Sequence, residues 1–203
     1  TSTADTINLS TTADARVAQF YSIANSTTYT LSCFFKNIAL TAGETFRLQY
    51  NNQLTAPNNF QMFATIDLAA ATATYSLVGT LVTGYSGTVT GVVEPYPNGW
   101  YRISVTLTTG TGAAANGQVQ IIQPTASQAR SFYAWGAQLE TSNIAVATEY
   151  IPTTTVARTK FAGITQDGLL ASNIPRIDYP PLGGCPSILV EPLRTNFFLR
   201  SEE

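Results

Sequence analysis

The sequence predicts an all-β protein, a jelly-roll-like antiparallel β-sandwich with an extended C-terminal arm. Apolar and polar residues alternate with a period of two along about ten short segments. No window of about a dozen residues carries an apolar stripe at helical spacing. Stretches rich in Gly, Pro and Asn separate the segments, as turns between antiparallel strands do. Strands that are dry on one face only must pack as two sheets or close as a barrel.

The clearest strand is 28–36, where Tyr29, Leu31, Cys33 and Phe35 share an apolar face. Cys33 is therefore expected to be a small buried side chain. The full set of expected strands, in chain order, is 16–23, 28–36, 45–50, 60–68, 74–80, 88–93, 100–108, 118–123, 133–140 and 146–151.

Strict alternation also predicts the core, because it assigns every second residue of each strand to the dry face. Trp135 falls on the apolar phase of its strand and is expected in the core rather than at a ligand site. The expected core comprises Tyr29, Leu31, Phe35, Phe46, Leu48, Met62, Ile66, Tyr101, Ile103, Val105, Tyr133, Trp135 and Leu139.

The 203 residues suffice for one well-cored domain with an appendage. We expect the sandwich to span 1–152 and the arm 153–203, because alternation fades and Pro, Gly and Asn become frequent after Pro152. The strand-like segment 187–199, in the stretch GGCPSILVEPLRTN and beyond, resumes too late to build its own core. The arm is therefore expected outside the sandwich's sheets, as a lead-in to a following module or as a docking segment covered by a neighbour.

Composition excludes several classes of function. Charged residues make up 11% of the chain, the net charge is −2 and no run of either sign occurs, so nucleic acid and anionic lipid are not expected partners. Histidine is absent, which removes the usual general base and the commonest transition-metal ligand. No apolar stretch has the length of a membrane span. The start lacks Met and signal-peptide features, and we expect a processed product or a portion of a longer polypeptide.

Catalysis would have to rely on a carboxylate pair, as in glycoside hydrolysis. The candidates are Asp67, Glu94, Glu140 and Glu149, but no spacing motif marks two of them as partners. We therefore expect no enzymatic activity and no cofactor. A Ca²⁺ ion held by carboxylates and loop carbonyls would suit a jelly roll, yet no calcium-loop pattern supports one. With two cysteines, Cys33 and Cys185, on different parts of the chain, unpaired thiols are favoured over a disulfide.

The candidate ligand-binding residues project from the wet phases of the strands. Trp100 and Arg102 follow a Pro-Asn-Gly turn, and an indole face can stack on a sugar ring while Arg donates to hydroxyls or carboxylates. Further residues on three other expected strands also project from the face opposite the core. If those strands are neighbours, these residues form an aromatic and amide-rich patch. It would suit a neutral glycan, a subunit interface or simply scattered surface aromatics. The residues of this patch are Phe34, Lys36, Arg47, Gln49 and Phe63.

Three stretches carry a family resemblance, PNGWYRISVTLT (97–108), SFYAWGAQLETSNIAVATEYIPTT (131–154) and IPRIDYPPLGGCPSILVEPLRTNFFLRSEE (174–203), and FFKNIALTAGETFRLQY (34–50) adds to them. Together they resemble the repeated β-sandwich modules of tailed-bacteriophage virion proteins, such as tail fibres, head fibres and decoration proteins. The resemblance implies a carbohydrate-binding-module-like jelly roll without enzymatic activity. In that family the EPLRTN segment precedes a sandwich, whereas here it follows one.

The resemblance implies a structural protein on the surface of a virion, with other virion subunits as partners and a homo-oligomeric state such as a trimer. Its sandwich would adhere to host or environmental glycan. Two alternatives stay open: a purely architectural virion domain that makes only protein contacts, and a glycan-binding module of a secreted bacterial protein.

Overall fold

A computed structural model gives the structure of the protein. It describes residues 4–52, 60–79, 89–109, 115–125, 128–141 and 146–152, together with the backbone of four three-residue strands between 158 and 196. None of these residues forms a helix with the length and apolarity of a membrane span. One 3₁₀ turn, Pro97–Gly99, is followed directly by a strand.

In the described part of the chain up to residue 152, ten strands form the sandwich, and most lie where alternation predicts them. Strand β1 is an addition that the sequence analysis missed, and β9 and β10 begin about three residues earlier than expected. The strands are β1 (Asp5–Leu9), β2 (Ala15–Ile23), β3 (Thr28–Asn37), β4 (Phe46–Asn52), β5 (Phe60–Asp67), β6 (Thr72–Gly79), β7 (Thr90–Tyr96), β8 (Trp100–Thr108), β9 (Ala115–Gln123) and β10 (Arg130–Thr141).

The strands form two antiparallel sheets. Sheet A contains β10-β3-β8-β7, with β1 on the outer edge of β10, and sheet B has the order β2-β9-β4-β5-β6. The quartets β1-β10-β3-β8 and β2-β9-β4-β5 are the two four-stranded layers of a jelly roll, in which the chain crosses repeatedly between layers. Strands β6 and β7 widen the two sheets. The predicted fold class is confirmed.

Aromatic side chains join the two layers at the centre of the core. The rings of Phe46 on sheet B and Phe132 on sheet A stack with centroids 4.0 Å apart and planes 13° apart. Phe35, also on sheet A, meets Phe46 edge-on at 5.2 Å. Offset stacked and edge-to-face pairs are the arrangements that aromatic quadrupoles favour. All three side chains are fully buried, so this trio anchors sheet A to sheet B.

Strand β10 departs from strict alternation, and the core prediction is wrong there. Its register with β3 shifts between Trp135 and Gln138, which marks a β-bulge. Before the bulge Phe132 and Ala134 face the core, and after it Leu139 does. Tyr133 is consequently 36% exposed and Trp135 lies on the outer face of sheet A. Tyr101 is only half-buried against the core, and the other predicted core residues are buried as expected.

The expected strand 146–151 is also wrong. Residues 146–152 run without regular secondary structure across the outer face of sheet A, and we call this segment the strap. It is held on that face by hydrogen bonds with side chains rather than by a strand ladder; for example, the Ile151 amide donates to Gln138 Oε1.

Part of the arm joins the sandwich. The strands are β11 (Arg158–Lys160), β12 (Arg176–Asp178), β13 (Ser187–Leu189) and β14 (Arg194–Asn196). β14 pairs with β10 at Glu140 and β11 pairs with β14, so both extend sheet A, while β12 and β13 pair with each other. The expectation that the arm lies outside the sandwich's sheets is therefore wrong for β11 and β14.

The bulge predicts opposite results for two aromatic truncations on β10. Phe132→Ala should lower the free energy of unfolding by about 3–5 kcal/mol, because it empties a central core position. Trp135→Ala should cost clearly less, because the indole lies outside the core. Urea unfolding of both variants measures the difference, and a larger loss for Trp135→Ala would place the indole in the core after all.

The thiol of Cys33 faces the core from β3, as the sequence predicts, and is 1% exposed. Its Sγ–H donates to the Trp135 carbonyl oxygen at 3.4 Å. Burial raises the pKa of Cys33 to about 12 from an ordinary value near 9. Burial likewise raises the pKa of Tyr21 to about 12. Cys185 lies outside the described residues.

These pKa shifts predict a loss of stability at alkaline pH. The folded chain keeps the Cys33 proton up to about pH 12, whereas the unfolded chain releases it near pH 9. The contribution of the protonated thiol to the free energy of unfolding is therefore complete below pH 9, and it is lost as the pH rises from about 9 to about 12. Cys33→Ala should flatten the fall in unfolding free energy by up to about 1.4 kcal/mol per pH unit. Urea unfolding below and within the window measures the slope. An unchanged slope in the variant would count against the burial of the thiol.

Candidate functional site

The outer face of sheet A is divided into a polar half and an aromatic half. Because β10, β3, β8 and β7 are neighbours, their outward side chains form rows across the sheet. Two rows are polar: Glu140–Thr30–Thr106 and Gln138–Ser32–Ser104. Two rows are mainly aromatic: Trp135–Phe34–Arg102–Glu94 and Tyr133–Lys36–Trp100–Tyr96.

The strap covers the polar half and is held there by a buried carboxylate. Glu140 is fully buried, and its Oε1 accepts from the Thr148 amide at 2.7 Å while its Oε2 accepts from the Thr148 hydroxyl at 2.6 Å. Hydrogen bonds to both oxygens offset the cost of removing the carboxylate from water. Thr148 is consequently fixed over the polar half of the outer face.

Two further side chains hold the strap. Arg102, which is 3% exposed, donates through Nη1 to the Thr148 carbonyl oxygen and through Nη2 to Ser32 Oγ at 3.1 Å. Gln138 accepts from the Ile151 amide at 2.8 Å. Thr148 thus links two buried groups of opposite charge: it donates to Glu140 and accepts from Arg102. Such a connected network fixes the backbone on both sides of Glu149 and Tyr150.

The aromatic half begins where this network ends. Phe34 is its centre: its ring centroid lies 5.0 Å from those of Tyr96 and Trp135 and 6.4 Å from that of Tyr150. Trp135 and Tyr150 are 4.6 Å apart. The guanidinium carbon of Arg102 lies 5.1 Å from the Phe34 centroid, within the range of a cation–π contact. The strap therefore contributes a ring to a cluster that β3, β7 and β10 begin.

An open cavity of about 520 Å³ lies against this cluster, and we call it the aromatic cavity. Its size is that of a small-molecule site, and most of its wall is apolar. Sheet A and the turn before β8 supply one part of the wall and the strap supplies another. It is lined by Ala4, Phe34, Tyr96, Pro97, Trp100, Arg102, Trp135, Glu149 and Tyr150.

The structure brings together half of the site residues predicted from the sequence. Phe34, Trp100 and Arg102 all line the aromatic cavity. Strands β4 and β5, which carry the other three, belong to sheet B, on the opposite side of the sandwich. A single patch joining Phe34 to Arg47, Gln49 and Phe63 therefore does not form, since alternation cannot tell which strands are neighbours.

On sheet B, Arg47 contacts Phe63, whereas Gln49 is bonded to a neighbouring glutamine. The Arg47 guanidinium carbon lies 3.9 Å from the centroid of the Phe63 ring. Gln49 Nε2 donates to Gln120 Oε1 at 2.5 Å, and Gln120 Nε2 donates to Gln118 Oε1 at 2.6 Å. Phe63 is 4% exposed and Gln49 2%, so neither presents an open surface to a ligand.

Sequence analysis missed several residues of the cavity wall. Trp135 was assigned to the core, and the signal against that assignment was Gly136, since an isolated Gly inside a strand often marks a bulge. Gly136 has φ +62°, and a Cβ there would lie 3.1 Å from Phe34 Cδ2. Tyr150 and Glu149 were read as part of a strand. No pattern indicated that they would fold back over β8 and β10.

The four carboxylates considered for catalysis are distributed over both sheets. Asp67 ends β5 and accepts from the Gly43 and Ala70 amides, and these hydrogen bonds lower the pKa of its carboxyl. Glu140 is buried, Glu149 lines the cavity and Glu94 lies opposite Arg102. Within the described part of the chain, no three Cys, Asp or Glu side chains come together as metal ligands would.

Comparison with known proteins returned no match to this chain, either from protein-family models or from curated proteins.

The buried network predicts the effect of removing one hydroxyl. Thr148→Val keeps the shape of the side chain but leaves Glu140 Oε2 without the hydrogen bond that it accepts at 2.6 Å. The unfolding free energy should fall by about 1–3 kcal/mol, the cost of an unsatisfied buried polar group.

Thr28→Val is the matched control, because the Thr28 hydroxyl pairs with Thr108 Oγ1 at 2.7 Å in an exposed position. Water replaces the lost partner there, so we expect a change within about 0.5 kcal/mol. Equal losses in the two variants, measured by urea unfolding, would contradict the role of Glu140 in holding the strap.

Proposed function

We propose that this chain is a non-enzymatic binding module that adheres to glycan through the aromatic cavity. The observation that carries the proposal is the clustering of five aromatic rings around one open cavity on the outer face of a sheet. Rings that serve only stability lie in the core between the sheets, as Phe35, Phe46 and Phe132 do. Aromatic rings held at the surface around a cavity are instead suited to a ligand.

The chemistry of the wall favours a sugar among small ligands. The apolar faces of pyranose rings stack on indole and phenol rings, and Trp100 and Trp135 are both only partly buried at the cavity. Tyr96, which is 42% exposed, and Glu149 add polar groups that can bond hydroxyls. An apolar wall with a few polar groups is the usual composition of a small-molecule site.

The resemblance to bacteriophage virion modules supplies the biological setting of the proposal. In that setting the chain is a fibre or decoration protein on the surface of a virion, assembled with other virion subunits as a homo-oligomer. The glycan would belong to the host surface or its environment. A glycan-binding module of a secreted bacterial protein would use the same cavity in the same way.

A purely architectural domain is the second candidate, and specific surface residues favour it. Phe20 and Val17 on β2, at the edge of sheet B, are 70% and 52% exposed. Large apolar side chains on an edge strand are typical of protein contacts. Strands β11 and β14, which widen sheet A, are a second feature that suits assembly with other subunits.

If the chain binds glycan at the aromatic cavity, substitutions in the cavity wall should weaken that binding. The chain contains two tryptophans, both at the cavity, so a bound sugar should alter the tryptophan fluorescence directly. A glycan array identifies ligands, and fluorescence titration then measures affinity. Trp100→Ala and Trp135→Ala should each weaken binding by at least about tenfold, because each removes a stacking surface.

Phe20→Ala is the matched control, because it removes an exposed ring from the other sheet and should leave sugar affinity unchanged. Circular dichroism checks that each variant is folded. Absence of any sugar signal for the parent chain would reject the glycan hypothesis and favour the architectural one.

A further inference from the structure

The guanidinium of Arg102, at the aromatic cavity, already donates hydrogen bonds within the protein. The sequence predicts Arg102 as a forked donor to ligand hydroxyls or carboxylates. In the structure one fork nitrogen donates to the Thr148 carbonyl oxygen and the other to Ser32 Oγ. The side chain is 3% exposed, and its guanidinium lies beside the Phe34 ring. Its remaining nitrogen, Nε, is buried and has no hydrogen-bond partner among the described residues.

This arrangement removes the usual means of binding a sugar carboxylate. Proteins bind carboxylates most strongly with both nitrogens of an exposed Arg fork, which form two parallel hydrogen bonds. For Arg102 to do so, it would have to release Thr148, and the strap would lose one of the groups that hold it. A carboxylate would therefore have to compete with the fold of the strap.

The other charges near the cavity also disfavour the binding of a carboxylate. Glu149 lines the wall, so an anionic ligand would meet a like charge there. Glu140, which shares Thr148 with Arg102, places a second carboxylate behind the strap. Lys36 lies opposite Trp100 in the neighbouring row, but it is not part of the cavity wall. Among the described residues, Arg102 is thus the single cation that lines the aromatic cavity, and both nitrogens of its fork are bonded to the protein itself.

We propose that the aromatic cavity selects uncharged sugars and discriminates against uronic acids and other carboxylated sugars. Arg102 acts as a positioning residue that holds the strap, with Tyr150 and Glu149, against the cavity. Affinity then comes from stacking on the aromatic rings and from hydrogen bonds to neutral hydroxyls. This proposal rests on the proposed glycan-binding function and names the chemical class of its ligand.

Matched sugar pairs test the selectivity. Oligosaccharides of glucose, galactose and mannose are compared with those of the corresponding uronic acids, which differ only in carrying a carboxylate in place of the hydroxymethyl group. Tryptophan fluorescence of the full chain at low ionic strength measures each affinity. The uronate of the best-bound hexose should bind at least about tenfold more weakly, and added salt should narrow the difference because it screens repulsion.

Two variants separate the roles of the charges. Glu149→Gln removes the like charge but keeps a polar group at the wall, so uronate binding should become several-fold stronger relative to binding of the neutral sugar. Arg102→Lys, which cannot maintain both contacts of the fork, should weaken neutral and acidic sugars by the same factor and leave their ratio unchanged. Circular dichroism verifies folding, and Glu149→Gln keeps the test decisive if Arg102→Lys does not fold.

Several outcomes would overturn the proposal. A uronate that binds as tightly as its neutral partner, or tighter, contradicts the selectivity itself. Selective loss of uronate binding in Arg102→Lys would show that the arginine contacts the ligand. If no sugar of either kind alters the tryptophan signal, the glycan-binding function fails, and the proposal about its ligand class fails with it.

Discussion

The local geometry of β10 at Gly136 determines how this sandwich divides its aromatic residues. A strand without a bulge would place Trp135 and Leu139 on one face and Phe132 on the other, so a core that kept Leu139 would take in the indole and lose Phe132 from the Phe35–Phe46–Phe132 trio. The bulge allows both halves of β10 to contribute to the core while Trp135 faces outward. Gly136 permits the bulge because it has no side chain. The positive φ at this position and its closeness to Phe34 would both disfavour any larger residue.

The strap depends on a second constraint, the burial of polar groups on an outer sheet face. Glu140, Gln138 and Arg102 could not be covered by an apolar segment without large desolvation costs. The strap satisfies them with its own backbone and with the Thr148 hydroxyl. The requirement to satisfy these groups fixes one path for the chain across the sheet, and that path brings Tyr150 to the aromatic half.

Alternation in the sequence predicted most strands, the sandwich and most of the core, because the two faces of a half-buried strand appear in the sequence as alternating apolar and polar residues. The prediction failed where another rule prevails. Trp135 was misplaced because one bulge inverts the phase of a strand. Arg47, Gln49 and Phe63 were grouped with Phe34 because the sequence does not reveal which strands lie in which sheet. The strap looked like a strand, since hydrogen bonds between its backbone and distant side chains leave no periodic pattern in its own sequence.

The division of β3 between two faces bears on how such a protein can diversify. Phe34 contributes to the cavity, whereas its neighbours Cys33 and Phe35 contribute to the core. Successive codons therefore specify different properties, and a substitution at an outward position changes the wall of the cavity without altering the packing between the sheets. On the aromatic half, the residues of the cavity wall can therefore drift while the packing between the sheets is kept. On the polar half such drift is restricted, because an exchange at Glu140 would require a compensating change in the strap.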